Sequence, residues 1–124
     1  MQGEALQAPQ APVKTTLRNQ RVEQITAIIK RARPLVEAIG RKDDGLESQL
    51  RRSLTSIPLN IAEGFGVHGG NARLRFRSAL GSLYESQAAL RVAAALGYVR
   101  EADAERSFKE LEAFGGRLYG LIRR

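Results

Sequence analysis

The stretch SIPLNIAEGFG, residues 56–66, decides the fold. Ile57, Ile61 and Phe65 fall four residues apart and extend a stripe that begins with Leu46, Leu50 and Leu54. Apolar residues at steps of three and four share one face of an α-helix, so the stripe predicts a helix from near Asp44 to Gly64–Gly66. The polar residues of this segment are ordered as well. Ser53, Ser56, Asn60 and Glu63 follow one another at intervals of three, four and three. That spacing gathers them along one shoulder of the helix. Buried polar groups must find partners, so this edge predicts hydrogen bonds to a neighbouring helix that fix its register. Pro58 cannot donate to the Leu54 carbonyl, a loss that typically costs about 3 kcal/mol, and the nearby hydroxyls of Ser53 and Thr55 are placed to compensate.

Upstream, Val22, Ile25, Ile29, Ala32, Val36 and Ile39 recur with helical spacing and predict a first helix from roughly Leu17 to Ile39. Pro34 lies on its opposite side and is expected to kink it outward. Downstream, GVHGG reads as a flexible break, and Asn71 as the N-cap of a third helix. Phe76, Leu80, Leu83, Gln87, Leu90 and Ala94 alternate steps of four and three, close to a heptad seam. Gly97 reads as its stop. A fourth helix is expected from Ala102 or Asp103 almost to Arg124, with Phe108, Leu111, Gly115, Leu118 and Ile122 inward. The glycines at 115 and 116 each weaken it by about 1 kcal/mol relative to alanine.

Four amphipathic helices, three short connections and no alternating β pattern predict an all-α protein. Residues 17–124 are expected to form an antiparallel up-down-up-down four-helix bundle. Residues 1–16 contain two Ala-Pro steps and no helical period, and read as a mobile tail. With aromatics at 6% and tryptophan absent, aliphatic side chains must fill the core. The chain has no cysteine, which excludes disulfides, thiolate metal sites and a cysteine nucleophile. No apolar run approaches the roughly 20 residues that cross a bilayer, and the amino terminus does not read as a secretory signal.

Catalytic constellations are weakly supported. Glu63 and Glu85 lie on helices expected to be neighbours, and paired carboxylates with Asn60 could perform acid–base work. Glu85, however, falls on the far side of its helix from Leu83 and Leu90, and nothing in the spacing forces the acids together. A bundle di-iron site needs two Glu-x-x-His motifs, whereas His68 is the single histidine and lies in a loop. GFGVHGG lacks the Gly-Lys-Ser/Thr of a nucleotide loop and follows no strand. No catalytic residue, cofactor or metal ligand is assigned, and the chain is not expected to be an enzyme.

The third helix carries a second apolar face. Leu74, Gly81, Ala88 and Ala95 recur every seven residues, with Val92 beside them and Glu85 and Arg77 as the charged exceptions. A helix buried on one side only is normally charged on the other. This face, Leu74, Gly81, Glu85, Ala88, Val92 and Ala95, is therefore expected to mediate self-association, with Gly81 permitting close packing.

The formal net charge is +7, and sixteen of the twenty basic residues are arginines. Arginine binds phosphate through a bidentate fork, so the excess points to acidic partners, with RNA or DNA first. No acid occurs between Glu63 and Glu85, while Arg73, Arg75 and Arg77 crowd the start of the third helix. Arg51 with Arg52, and Arg123 with Arg124, add paired charges. Phe76, the one aromatic among Arg73, Arg75 and Arg77, belongs to the apolar seam, so contact to phosphates rather than base reading is expected.

LESQLRRSLTSIPLNIAEGFG, RFRSALGSLYESQAAL and AAALGYV together resemble the small bacterial four-helix bundle proteins named after the intervening sequences of 23S ribosomal RNA genes. The resemblance covers roughly residues 20–122. Its most specific parts are Ser56-Ile57-Pro58, Asn60 to Gly64, and Ala79 to Ser82 with Glu85. It implies a cytoplasmic bundle that assembles into a ring-like homo-oligomer, a homopentamer being the expected form. The expectation is thus a non-enzymatic oligomeric module that contacts RNA or DNA phosphates through arginines. The alternative is a protein–protein scaffold without nucleic-acid binding. Neither a membrane nor a metal partner is expected.

Overall fold

The computed structural model describes residues 13–124. It contains four helices: α1 (Val13–Gly40), α2 (Asp44–Phe65), α3 (Gly69–Ala95) and α4 (Glu101–Ile122). No strand occurs among the described residues. α1 packs on α2 and α4, and α3 packs on α2 and α4, so the four helices close around one core.

Helix α1 begins at Val13, so Val13–Thr16 belong to the bundle's first helix and not to the expected tail. The rest of that tail lies outside the described residues. Pro34 sits inside the continuous α1 on its exposed side, while Ile25, Ala32, Val36 and Ile39 are buried. Asp43 starts α2: its Oδ1 accepts from the Leu46 amide at 2.9 Å. That bond serves one of the four N–H groups that every helix start leaves free. The same carboxylate accepts from the Tyr98 hydroxyl at 3.1 Å, tying the α3–α4 connection to the start of α2.

The α2 stripe is buried from Leu50 to Phe65. Thr55 Oγ1 donates to the Arg51 carbonyl at 2.7 Å and Ser53 Oγ donates to that of Leu50 at 3.1 Å. Both hydroxyls therefore serve nearby α2 carbonyls, though not that of Leu54, which Pro58 leaves free. Gly64 lets the α2 backbone approach α3, since a Cβ at this position would collide with the Phe76 ring. Phe76 in turn packs edge-on against Phe65, with ring centroids 5.2 Å apart.

Helix α3 begins two residues before Asn71, which is therefore not its cap. His68 occupies the cap position and makes no side-chain capping bond. Gly69 adopts φ +63° there, and Gly97 φ +80° just after α3, both in the left-handed region that favours glycine. On α4, Leu111, Leu118 and Ile122 of the expected inner face are buried, and the buried face extends further to one side. Ala104, Ser107, Leu111, Phe114, Leu118 and Leu121 are buried, whereas Phe108 and Gly115 lie at its edge. Phe108 is covered from outside by the Arg91 guanidinium, 3.8 Å from the ring centroid.

Candidate nucleic-acid interface

The polar shoulder of α2 meets α3 through hydroxyls. Ser53 Oγ and Ser86 Oγ lie 2.7 Å apart in the interior. One turn on, Ser82 Oγ donates to Ser56 Oγ at 2.8 Å, and Asn60 Nδ2 donates to the same oxygen at 2.9 Å. Glu63 pairs with Arg75 of α3 at 3.5 Å. Later positions on α2 thus meet earlier positions on α3. Across the other side of α3, Gln87 Nε2 donates to Glu112 Oε1 at 2.9 Å and to the Phe108 carbonyl at 3.2 Å.

This arrangement separates the groups considered for catalysis. Glu63 turns to Arg75, Asn60 turns to Ser56, and Glu85 forms no ion pair or side-chain hydrogen bond among the described residues. No group of three or more metal-ligating side chains occurs among those residues either.

The candidate arginines divide into two sets. Arg51 is held by Glu47 at 2.9 Å and Arg52 donates to Ser48 Oγ at 2.7 Å. Both lie about four helical turns from the end of α2, so the structure does not join them to the others. Arg73, by contrast, shares a cavity with Arg124, His68 and Phe65, where α2 ends, α3 begins and α4 ends. Arg123 stacks on Tyr119, 5.3 Å from the ring centroid. Among the described residues Arg73, Arg77, Arg123 and Arg124 form no ion pair.

Two further arginines at this end escaped the sequence reading. Arg21 of α1 lies near Arg117 and Arg124. Its burial, followed by repulsion from those two charges, holds its pKa below the ordinary guanidinium value. Arg117 and Arg124 are seven residues apart, a spacing that would have placed them on one face of α4.

The second face of α3 is open in the single chain. Leu74 is 60% exposed and Val92 45%, and Gly81, Glu85, Ala88 and Ala95 are also exposed. A Cβ built on Gly81 meets nothing within 4 Å. Leu96 near the carboxyl end of α3 and Leu59 on α2 add exposed apolar surface.

A family model described as 23S rRNA-intervening sequence protein matches residues 20–120. A solved structure with the same fold is a protein of unknown function from the S23 ribosomal protein family of Bacteroides thetaiotaomicron. The two share 18% identity, with a TM-score of 0.70 over 86% of this chain and 98% of that one. The comparison with curated proteins returned no match. Among the described residues no helix is long and apolar enough to cross a membrane.

Proposed function

The chain belongs to the 23S rRNA-intervening sequence protein family, and on that premise we propose a non-enzymatic, cytoplasmic homo-oligomer that contacts RNA or DNA phosphates through arginines. The observation that carries this reading is that Arg73, Arg77, Arg123 and Arg124 form no ion pair among the described residues, and that Arg73 and Arg124 line the junction of helix ends. Guanidinium groups not neutralised within the fold keep their charge for an external anion. Repetition of the cluster around a symmetry axis would let weak contacts act together on one polymer.

The descending register of α3 partners along α2 supports the antiparallel up-down-up-down order. The open apolar face from Leu74 to Ala95 supports self-association, and the pentamer is the copy number this family resemblance favours. Filter binding of labelled RNA and DNA at two salt concentrations tests the nucleic-acid contact. Binding should weaken steeply with salt, and replacing Arg73 and Arg77 with glutamine should lower the salt slope by about one for each phosphate no longer neutralised. Absence of binding to either polymer at low salt overturns the reading. A protein complex that survives nuclease would then favour the scaffold reading, which the exposed Leu59 and Tyr84 also support.

A further inference from the structure

The cavity at the junction of α2, α3 and α4 has a volume of ≈ 380 Å³. Its buried side is apolar, with Phe65, Phe76 and Leu121, and its exposed side carries His68, Arg73 and Arg124. No Asp or Glu lines it. Glu63, the preceding acid in the sequence, is turned to Arg75. Arg73 folds back over the first turn of α3: its Nη2 lies 4.0 Å from the place a Cβ on Gly70 would take. That turn has no side-chain cap, so its N–H groups are served by no side chain.

Positive charge continues behind the cavity. Arg117 and Arg124 both stand close enough to Arg21 for their charges to repel its own. Arg21 Nη1 is bonded to Gln24 at 3.2 Å, but its Nε is buried without a partner among the described residues. Like charges gathered at one end of a bundle raise its energy, and a bound anion removes that repulsion.

We infer that this cavity is a binding site for the dianionic phosphate of a phosphomonoester, held between Arg73 and Arg124 at the first turn of α3. The inference rests on the phosphate-contact reading above and narrows it to one site and one ligand chemistry. A monoester phosphate presents three acceptor oxygens and a charge near −2 at neutral pH. Two guanidinium forks, one from α3 and one from just beyond α4, suit that group better than a diester linkage, which has two free oxygens and a single charge. A phosphorylated polynucleotide end and a free nucleotide share this chemistry.

Titration of the isotope-labelled full chain with inorganic phosphate, against chloride at matched ionic strength, tests the site by NMR. Saturable shifts of the Gly69, Gly70 and Arg73 amides are expected with phosphate alone. They should weaken at least tenfold in the double variant R73Q/R124Q and persist in R33Q/R41Q, which removes the same charge elsewhere, both variants having wild-type circular dichroism. Shifts that fail to saturate, or an unchanged response in R73Q/R124Q, overturn the site. An oligonucleotide that binds while phosphate does not saturate overturns the site and leaves the nucleic-acid reading standing. Phosphate that saturates while no oligonucleotide binds does the reverse. Stronger competition by a 5′-phosphorylated oligonucleotide than by its 5′-hydroxyl form assigns the site to a polynucleotide end. Equal competition, with a nucleoside monophosphate displacing phosphate, assigns it to a free nucleotide.

Discussion

Ser53 Oγ and Ser86 Oγ lie 2.7 Å apart, both buried, at the contact between α2 and α3. Each is also within bonding distance of a carbonyl of its own helix, Leu50 for Ser53 and Ser82 for Ser86. Two hydroxyl protons must serve three contacts, so one serine donates across the interface and the other back to its helix. S53A or S86A alone leaves the partner oxygen buried with fewer bonds and is expected to cost about 1–2 kcal/mol. The double variant removes both groups and should cost less than the sum of the two. Urea denaturation of the four proteins measures the coupling, expected at about 0.5–1.5 kcal/mol, and strict additivity would show that the hydroxyl contact contributes nothing.

Glycines on α2 and α4 should respond in opposite directions. G64A drives a methyl group into the Phe76 ring and is expected to destabilise by about 1–3 kcal/mol, the usual range for overpacking. On α4, a Cβ at Gly116 meets nothing within 4 Å, and one at Gly115 makes ordinary contacts with Leu83 and Leu80 at 3.7–3.9 Å. G115A and G116A should therefore each stabilise by up to about 1 kcal/mol through helix propensity. Chemical denaturation midpoints report both signs.

Gly81 separates the single chain from the assembly. Within one chain a side chain at this position meets open space, so G81L should leave the helical content and the monomer's fold unchanged. If the Leu74–Ala95 face joins sister copies closely, the same substitution crowds the contact. Sedimentation velocity should then show G81L and V92D shifted toward monomer relative to the natural sequence. A natural sequence that sediments only as monomer removes the proposed interface.

Tyr98 should ionise late. Its hydrogen bond to Asp43, then its desolvation, then the Asp43 charge all hold its pKa above the ordinary 10.0. Because the folded value is raised above the unfolded one, the stabilising contribution is complete below pH 10. It is lost as pH climbs through the higher folded value. The alkaline absorbance titration of tyrosinate should lose its latest component in Y98F, and stability measured just above pH 10 should become less steeply pH-dependent in that variant. A latest component unchanged in Y98F would show that Asp43 does not hold the phenol.

The α2 reading was legible residue by residue. Its apolar stripe is the buried one, and its polar shoulder meets α3. Other features were not. On α4, Leu111, Leu118 and Ile122 are buried as read, but Phe108 sits at the margin, where Arg91 covers its ring, a contact with no local signature. Likewise, Asn71 is a good cap by type, yet Gly69 can adopt the left-handed φ that lets α3 start earlier. Arg51 and Arg52 looked equivalent to the other basic pairs in the chain, but one is held by Glu47 and the other by Ser48.

Periodicity alone determined that this chain makes four amphipathic helices and that α3 has more apolar surface than one buried side requires. Those properties follow from a repeat of 3.6 residues per turn, which acts within a helix and can be counted along the sequence. Tertiary structure decided which arginines share an end of the bundle. Arg21, Arg73 and Arg117 come from three helices and Arg124 from just beyond α4, and charges distant along a chain act on one another only through the spacing that packing sets.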